Sequence, residues 1–184
     1  MQSTQFQYNS SIENDLLAVE ELLKKGVRSQ VYLADSLAKR LVQLGGKRLR
    51  PLLMCLSYHT VASRQSQRSR CSPRQLHTLA SVGEWVHTAT LFHDDVLDQS
   101  TQRRGESCAH ILEGNKVAIL VGDYVYAEAF ALLMEEGLLE PSKNLADTIK
   151  SLVEGELLQH RQTVQRDLAL DTYERIAKAK TASL

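Results

Sequence analysis

The sequence predicts an all-α protein, and three observations carry that expectation. Only three prolines and nine glycines occur in 184 residues, so little punctuation interrupts long elements. Leu, Ala, Glu, Lys and Arg recur at helical spacing, and all are good helix formers. Runs of β-branched residues are short, which leaves little material for strands.

Helices are expected near residues 12–25, 29–44, 50–63, 74–98, 114–136, 142–166 and 171–184. Gln65 to Pro73 is polar and basic and reads as a loop, with Arg68 and Arg70 solvated. Ser142, after Pro141, is placed to cap the sixth helix. Asp171-x-x-Glu174 has the spacing of a capping box opening the last. The 114–136 segment is apolar around nearly its whole circumference, from Ala118 to Leu133. Such a helix is buried, either at the centre of a bundle or against a second subunit.

Composition narrows the function classes. The 22 basic and 22 acidic residues balance, so no general charge points to nucleic acid or an acidic membrane surface. Cys55, Cys71 and Cys108 are odd in number and widely spaced, which suits a reducing cytoplasm rather than a disulfide framework. Met1 to Asn14 is polar and lacks the apolar core of a signal peptide. No stretch is expected to reach the ~18 apolar residues of a membrane span. There is no repeat and no low-complexity linker, so residues 1–184 read as one domain.

The most informative segment runs from His87 to Asp98 and on through Arg103-Arg104-Gly105. His87, Leu91, Asp94 and Asp98 step by four, three and four, forming one helical stripe. Asp94 and Asp98 thus face each other with Cβ atoms about 6 Å apart, where their carboxylates repel. With Asp95 they crowd three acids near a helix end whose dipole is also negative. A hard divalent cation explains that arrangement, since Mg²⁺ takes carboxylate oxygens together with water and substrate phosphate. The arginines that follow, and the basic run Gly45-Gly46-Lys47-Arg48-Leu49-Arg50-Pro51, supply guanidinium and ammonium groups for phosphate oxygens. Acid for metal beside base for phosphate is the layout of a diphosphate site.

Five motifs in series complete the pattern. Gly-Gly-Lys-Arg-x-Arg-Pro leads to His-x6-Asp-Asp-x-x-Asp-x4-Arg-Arg-Gly, then Gly122-Asp123, then Gly155-Glu-Leu-Leu-Gln159, then Lys180-Thr181-Ala182-Ser183-Leu184. In order and spacing the chain resembles the trans-isoprenyl diphosphate synthases, and most closely their long-chain, octaprenyl-type branch. That resemblance implies the first half of a helical isoprenyl synthase bundle around a deep cavity. It also implies a homodimer, and condensation of isopentenyl diphosphate with an allylic diphosphate.

By the same resemblance, Asp94 and Asp98 bind Mg²⁺ and through it the allylic diphosphate, with Asp95 in support. Arg103 contacts that diphosphate. Lys47, Arg50, His87 and Arg104 hold isopentenyl diphosphate without metal. Lys180 stabilises the departing diphosphate, and Thr181 sits near the developing cation. Small residues at Ala89 and Thr90 mark long products, because aromatic side chains at those positions mark short-chain members. His93 has no role in the pattern and is expected to pack. Asp123, an acid in an apolar helix, is expected to be paired. Glu156 and Gln159 either line the cavity or make plain polar contacts.

The Lys180–Leu184 tract sits mid-helix in that family, and a second aspartate motif follows it there. The chain is therefore expected to be an N-terminal part, inactive by itself. Two other classes stay open. A non-catalytic partner subunit or inactive fragment would lack the second aspartate motif. A class I terpene cyclase would share the metal site but needs no second diphosphate site, which Lys47, Arg50 and His87 argue against.

Overall fold

A computed structural model describes residues 10–62, 71–165 and 169–184. Helix α1 spans Ser10–Lys25, α2 Tyr32–Gln43, α3 Leu49–Ala62 and α4 Pro73–Leu97. A two-strand hairpin follows, β1 Gln102–Arg103 and β2 Glu106–Ser107. Then come α5 Ala109–Glu113, α6 Asn115–Glu135, α7 Leu139–Gln165 and α8 Leu170–Ala177, the last running into a π-helical turn at Lys178–Ala182. The described residues form two compact units, one ending at Glu136 and the other Gly137–Leu184.

The expected helices are all present, with ends shifted by up to three residues apart from the last. The 65–73 loop falls largely outside the described residues, but its end is visible. Pro73 is the first residue of α4, where its missing N–H costs nothing. Ser72 caps it: its hydroxyl accepts from the Gln75 N–H, and the Gln75 side chain accepts from the Ser72 N–H.

Both expected caps in the second unit are corrected. Helix α7 starts at Leu139, so Ser142 lies inside its first turn and donates to the Leu138 carbonyl at 2.8 Å. Pro141 is then a third helical residue, whose N–H would have had no intrahelical acceptor. Helix α8 is entered from Ala169 with no side-chain cap, and Asp171 sits within the first turn, favoured there by the helix dipole. The hairpin and α5 went unforeseen, because each is only a few residues long.

In the first unit, α4 is the central element. Its buried residues, Leu76, Ala80, Trp85, Val86, Ala89 and Phe92 among them, pack mainly against α6 and on other sides against α1 and α3. Helix α6 contributes Ala118, Val121, Val125, Ala129 and Leu133 to that seam. Within this chain one face of the helix is not covered: Ile119, Leu120 and Met134 stay exposed opposite the seam, which leaves the alternative of a face against a second subunit open. The expectation of no membrane-length apolar stretch is corrected too, since α6 is long and apolar enough by length and composition alone. Its packing on α4 shows why a core helix passes the same test.

Candidate active site

The polar stripe of α4 is intact. Asp98 is the C-cap of the helix and its N–H donates to the Asp94 carbonyl at 2.8 Å, so both acids stand at the negative end of the dipole. Asp94 also acts across the seam. The Tyr126 phenol on α6 is pushed up to about 12, first by burial, then by Asp94 and Asp123.

Asp95 does not share that face. One residue round the helix, it is buried, and its Oδ1 accepts from Arg103 Nε at 2.8 Å and Nη2 at 2.6 Å. The Cys108 thiol faces the same carboxylate, and burial followed by Asp95 pushes it up to about 11. Asp95 is expected in support of the metal pair; a 100° step along the helix points it into the protein, where it anchors Arg103. Among the described residues no group of three or more His, Cys, Asp or Glu is gathered to hold a metal ion. Two carboxylates one turn apart fit Mg²⁺ nonetheless, because that ion is usually held by one or two carboxylates plus phosphate and water.

The basic side is assembled from three elements. The hairpin turns at Arg104 (φ 52°) and Gly105 (φ 85°), with Arg103 opposite Glu106. Two consecutive positive φ values are the signature of a type I′ turn, so Gly105 is required by the backbone. The turn swings Arg104 over Gly46, where a Cβ would stand 3.2 Å from the guanidinium. Arg50, from the first turn of α3, and both hairpin arginines bear on half-buried His87. Its imidazole is pushed down from 6.5 to about 4, by burial first and then by Arg50, Arg104 and Arg103. His87 is thus neutral at pH 7. No salt bridge is made to Lys47, Arg50 or Arg104 among the described residues, and Lys47 is exposed on the α2–α3 loop. Arg50 and Arg104 beside a neutral histidine are an arrangement able to take an anion.

The two small residues differ. Ala89 is completely buried in the helix packing. Thr90 is half-buried and its hydroxyl donates to the His87 carbonyl at 2.7 Å. In the second unit, Lys180 in the π-helical turn is clasped by Glu156 and by Gln159 Oε1, the latter at 3.0 Å. Glu156 and Gln159 thus both contact Lys180. Gly155 allows the clasp, since a Cβ there would stand 2.7 Å from Ala179 Cβ. Thr181 is exposed.

A family model described as polyprenyl synthetase matches residues 32–184. The chain belongs to the polyprenyl synthetase family. It is 32% identical to the octaprenyl diphosphate synthase of Escherichia coli (strain K12), over 96% of this chain and 52% of that protein. A decaprenyl diphosphate synthase structure from Rhodobacter capsulatus superposes with a TM-score of 0.84 at 34% identity, covering 95% of this chain and 51% of that one. A polyprenyl synthase from Caulobacter crescentus CB15, complexed with calcium and isoprenyl diphosphate, gives 0.83 at 34%, with 95% and 51% covered. The chain thus spans about half the length of the relatives it matches, with the helical isoprenyl synthase fold.

Two residues of this polyprenyl synthetase chain escaped the sequence reading. Arg48 is turned away from the basic cluster and pairs with Glu20 and Glu84. A signal was present: Glu84 is an acid on the apolar part of α4 and needs a partner once buried. His93 is more than packing, because its Nε2 lies 3.2 Å from both Asp123 Oδ1 and the Ile119 carbonyl. Asp123 is paired as expected, though it is exposed rather than buried.

Proposed function

We propose that the chain carries the allylic and isopentenyl diphosphate sites of a long-chain trans-polyprenyl diphosphate synthase. The observation that carries the reading is the convergence of Arg50, Arg103 and Arg104 on neutral His87, on the helix that presents Asp94 and Asp98. The relatives named as octaprenyl and decaprenyl diphosphate synthases support the substrate class and a long product.

Asp94 and Asp98 hold Mg²⁺ in this reading; bound Mg²⁺ offsets the charge of the allylic diphosphate and so improves it as a leaving group. Asp95 keeps Arg103 beside those acids, ready for phosphate. Lys47, Arg50 and Arg104 bind isopentenyl diphosphate, and neutral His87 donates a hydrogen bond without adding charge repulsion to the cluster. The allylic C–O bond breaks, and the isopentenyl double bond attacks the allylic carbon. A proton then leaves, taken by the released diphosphate, so no side-chain base is required. These are positioning and electrostatic roles. The exposed apolar face of α6, with Ile119, Leu120 and Met134, supports a homodimer. The three unpaired cysteines fit a cytoplasmic setting.

A condensation assay with radiolabelled isopentenyl diphosphate, farnesyl diphosphate and Mg²⁺ tests the reading, with calorimetric binding of isopentenyl diphosphate alongside. Binding of isopentenyl diphosphate is expected, and incorporation by these 184 residues alone is not; clear formation of prenyl products would overturn the expectation that the chain is inactive by itself. Absence of binding would remove the diphosphate site altogether.

A further inference from the structure

Arg48 sits between Lys47 and Arg50 in the basic run, yet its side chain is spent inside the protein. Its Nε donates to Glu20 Oε2 on α1 at 3.0 Å. Its Nη2 donates to the Val42 carbonyl in the last turn of α2 at 2.9 Å. Its Nη1 lies 3.5 Å from Glu84 Oε2 on α4. Glu84 is buried, and stands one turn before His87. The backbone of Arg48 is left-handed, with φ 47°, which a non-glycine residue adopts only when its surroundings impose it. Its carbonyl accepts the first helical hydrogen bond of α3, from the Leu52 N–H at 3.0 Å.

We propose that Arg48 is the positioning residue of the basic cluster rather than one of its phosphate ligands. By tying α1, α2 and α4 to the residue that opens α3, it sets the phase of α3's first turn. That phase aims Arg50 at His87 and fixes the end of the loop carrying Lys47. Phosphate cannot recruit Arg48 without leaving the Glu84 carboxylate buried and unpaired. The inference rests on reading Lys47, Arg50, His87 and Arg104 as a diphosphate site.

The test turns on a sign. Glu20 and Glu84 put negative charge close to an anion site, so Coulomb's law alone says that neutralising either should tighten anion binding. If instead they act through Arg48, neutralising them loosens the clamp and weakens binding. Inorganic diphosphate is titrated calorimetrically, without metal, into the wild-type chain and the Arg48→Ala, Arg48→Lys, Glu20→Gln and Glu84→Gln variants. Each is kept well below its own melting temperature. Affinity should fall about tenfold in Arg48→Ala, the scale of one charge-assisted contact. It should also fall measurably in Glu20→Gln and Glu84→Gln, and Arg48→Lys should not restore it, lacking the guanidinium fork. If Glu84→Gln does not fold, part-exposed Glu20→Gln carries the same sign test. Unchanged or tighter binding in the glutamate variants overturns the clamp. Failure of the wild-type chain to bind diphosphate overturns instead the anion site on which the clamp rests.

Discussion

The His93 imidazole occupies the space that a side chain at Gly122 would need. A Cβ built on Gly122 would overlap the ring, meeting its Cδ2 at 2.8 Å. The ring is held there by Asp123 and the Ile119 carbonyl, and it tilts against Tyr126 with centroids 5.7 Å apart. One notch in α6 thus receives the residue of α4 that directly precedes Asp94.

Gly122→Ala should therefore destabilise the chain by about 1–3 kcal/mol, the usual cost of overpacking a close contact. His93→Ala in the same chain should recover part of that loss, because it empties the notch. Urea melts of the two single variants and the double variant measure the coupling. Strict additivity would mean that the two residues do not share the space.

The three aspartates should separate by what they break. Asp94→Ala and Asp98→Ala should weaken Mn²⁺ binding, measured by electron paramagnetic resonance, while both chains still fold and melt cooperatively. Asp95→Ala should instead lower stability, by about 1–3 kcal/mol, since it leaves the half-buried Arg103 guanidinium without its acceptor. A stable Asp95→Ala chain with lost metal affinity would restore Asp95 as a ligand.

His87 should make stability pH-dependent in a defined window. Its folded value, about 4, lies below the usual 6.5, so the unfolded chain takes up the proton first as pH falls. The unfolded state then binds more protons between the two values, and stability declines from about pH 6.5 towards pH 4. His87→Gln should flatten that limb of the melting-temperature profile. An identical slope in the variant would show that His87 protonates as freely in the folded state.

Asp15 works at lower pH and holds three helices. It accepts from His59 on α3 at 2.6 Å and from His77 on α4 at 2.8 Å. Burial alone would raise its pKa, but the hydrogen bonds from His77 and His59 outweigh that and lower it below 3.8. Its contribution is present above pH 3.8 and is lost as pH falls through the lowered value. Asp15→Asn should lower the melting temperature at pH 7, and the gap to wild type should close as pH falls below 3.8 through the lowered value. A gap that persists there would point to packing rather than charge.

The structure also divides Ala89 from Thr90. Ala89→Phe must force a ring into a fully buried site and should cost several kcal/mol, or unfold the chain, as overpacking does at its extreme. Thr90→Phe, on the half-buried face one turn before Asp94, should be tolerated within about 1 kcal/mol. Thermal melting of both variants decides this. Equal tolerance would mean that Ala89 borders unfilled space.

By itself the sequence determined the helices, the stripe of His87, Asp94 and Asp98, and the basic residues flanking it. Those features are local, because helical spacing decides them within a few turns. It also placed the chain in its family, since five short motifs hold their order. The partners were decided only by tertiary packing. Arg48 reads as one more phosphate-binding cation until α1 and α4 bring Glu20 and Glu84 to it. Asp95 reads as support for the metal pair, and only the returning hairpin shows that it holds Arg103. Ile119, Leu120 and Met134 on α6 are as apolar as the residues it buries, and only the position of α4 shows which of them are covered. Each of these depends on how one helix is rotated against another. That rotation is set by close packing across 8 to more than 60 residues of chain, as between Arg103 and Asp95 or His77 and Asp15, and leaves no local periodic trace.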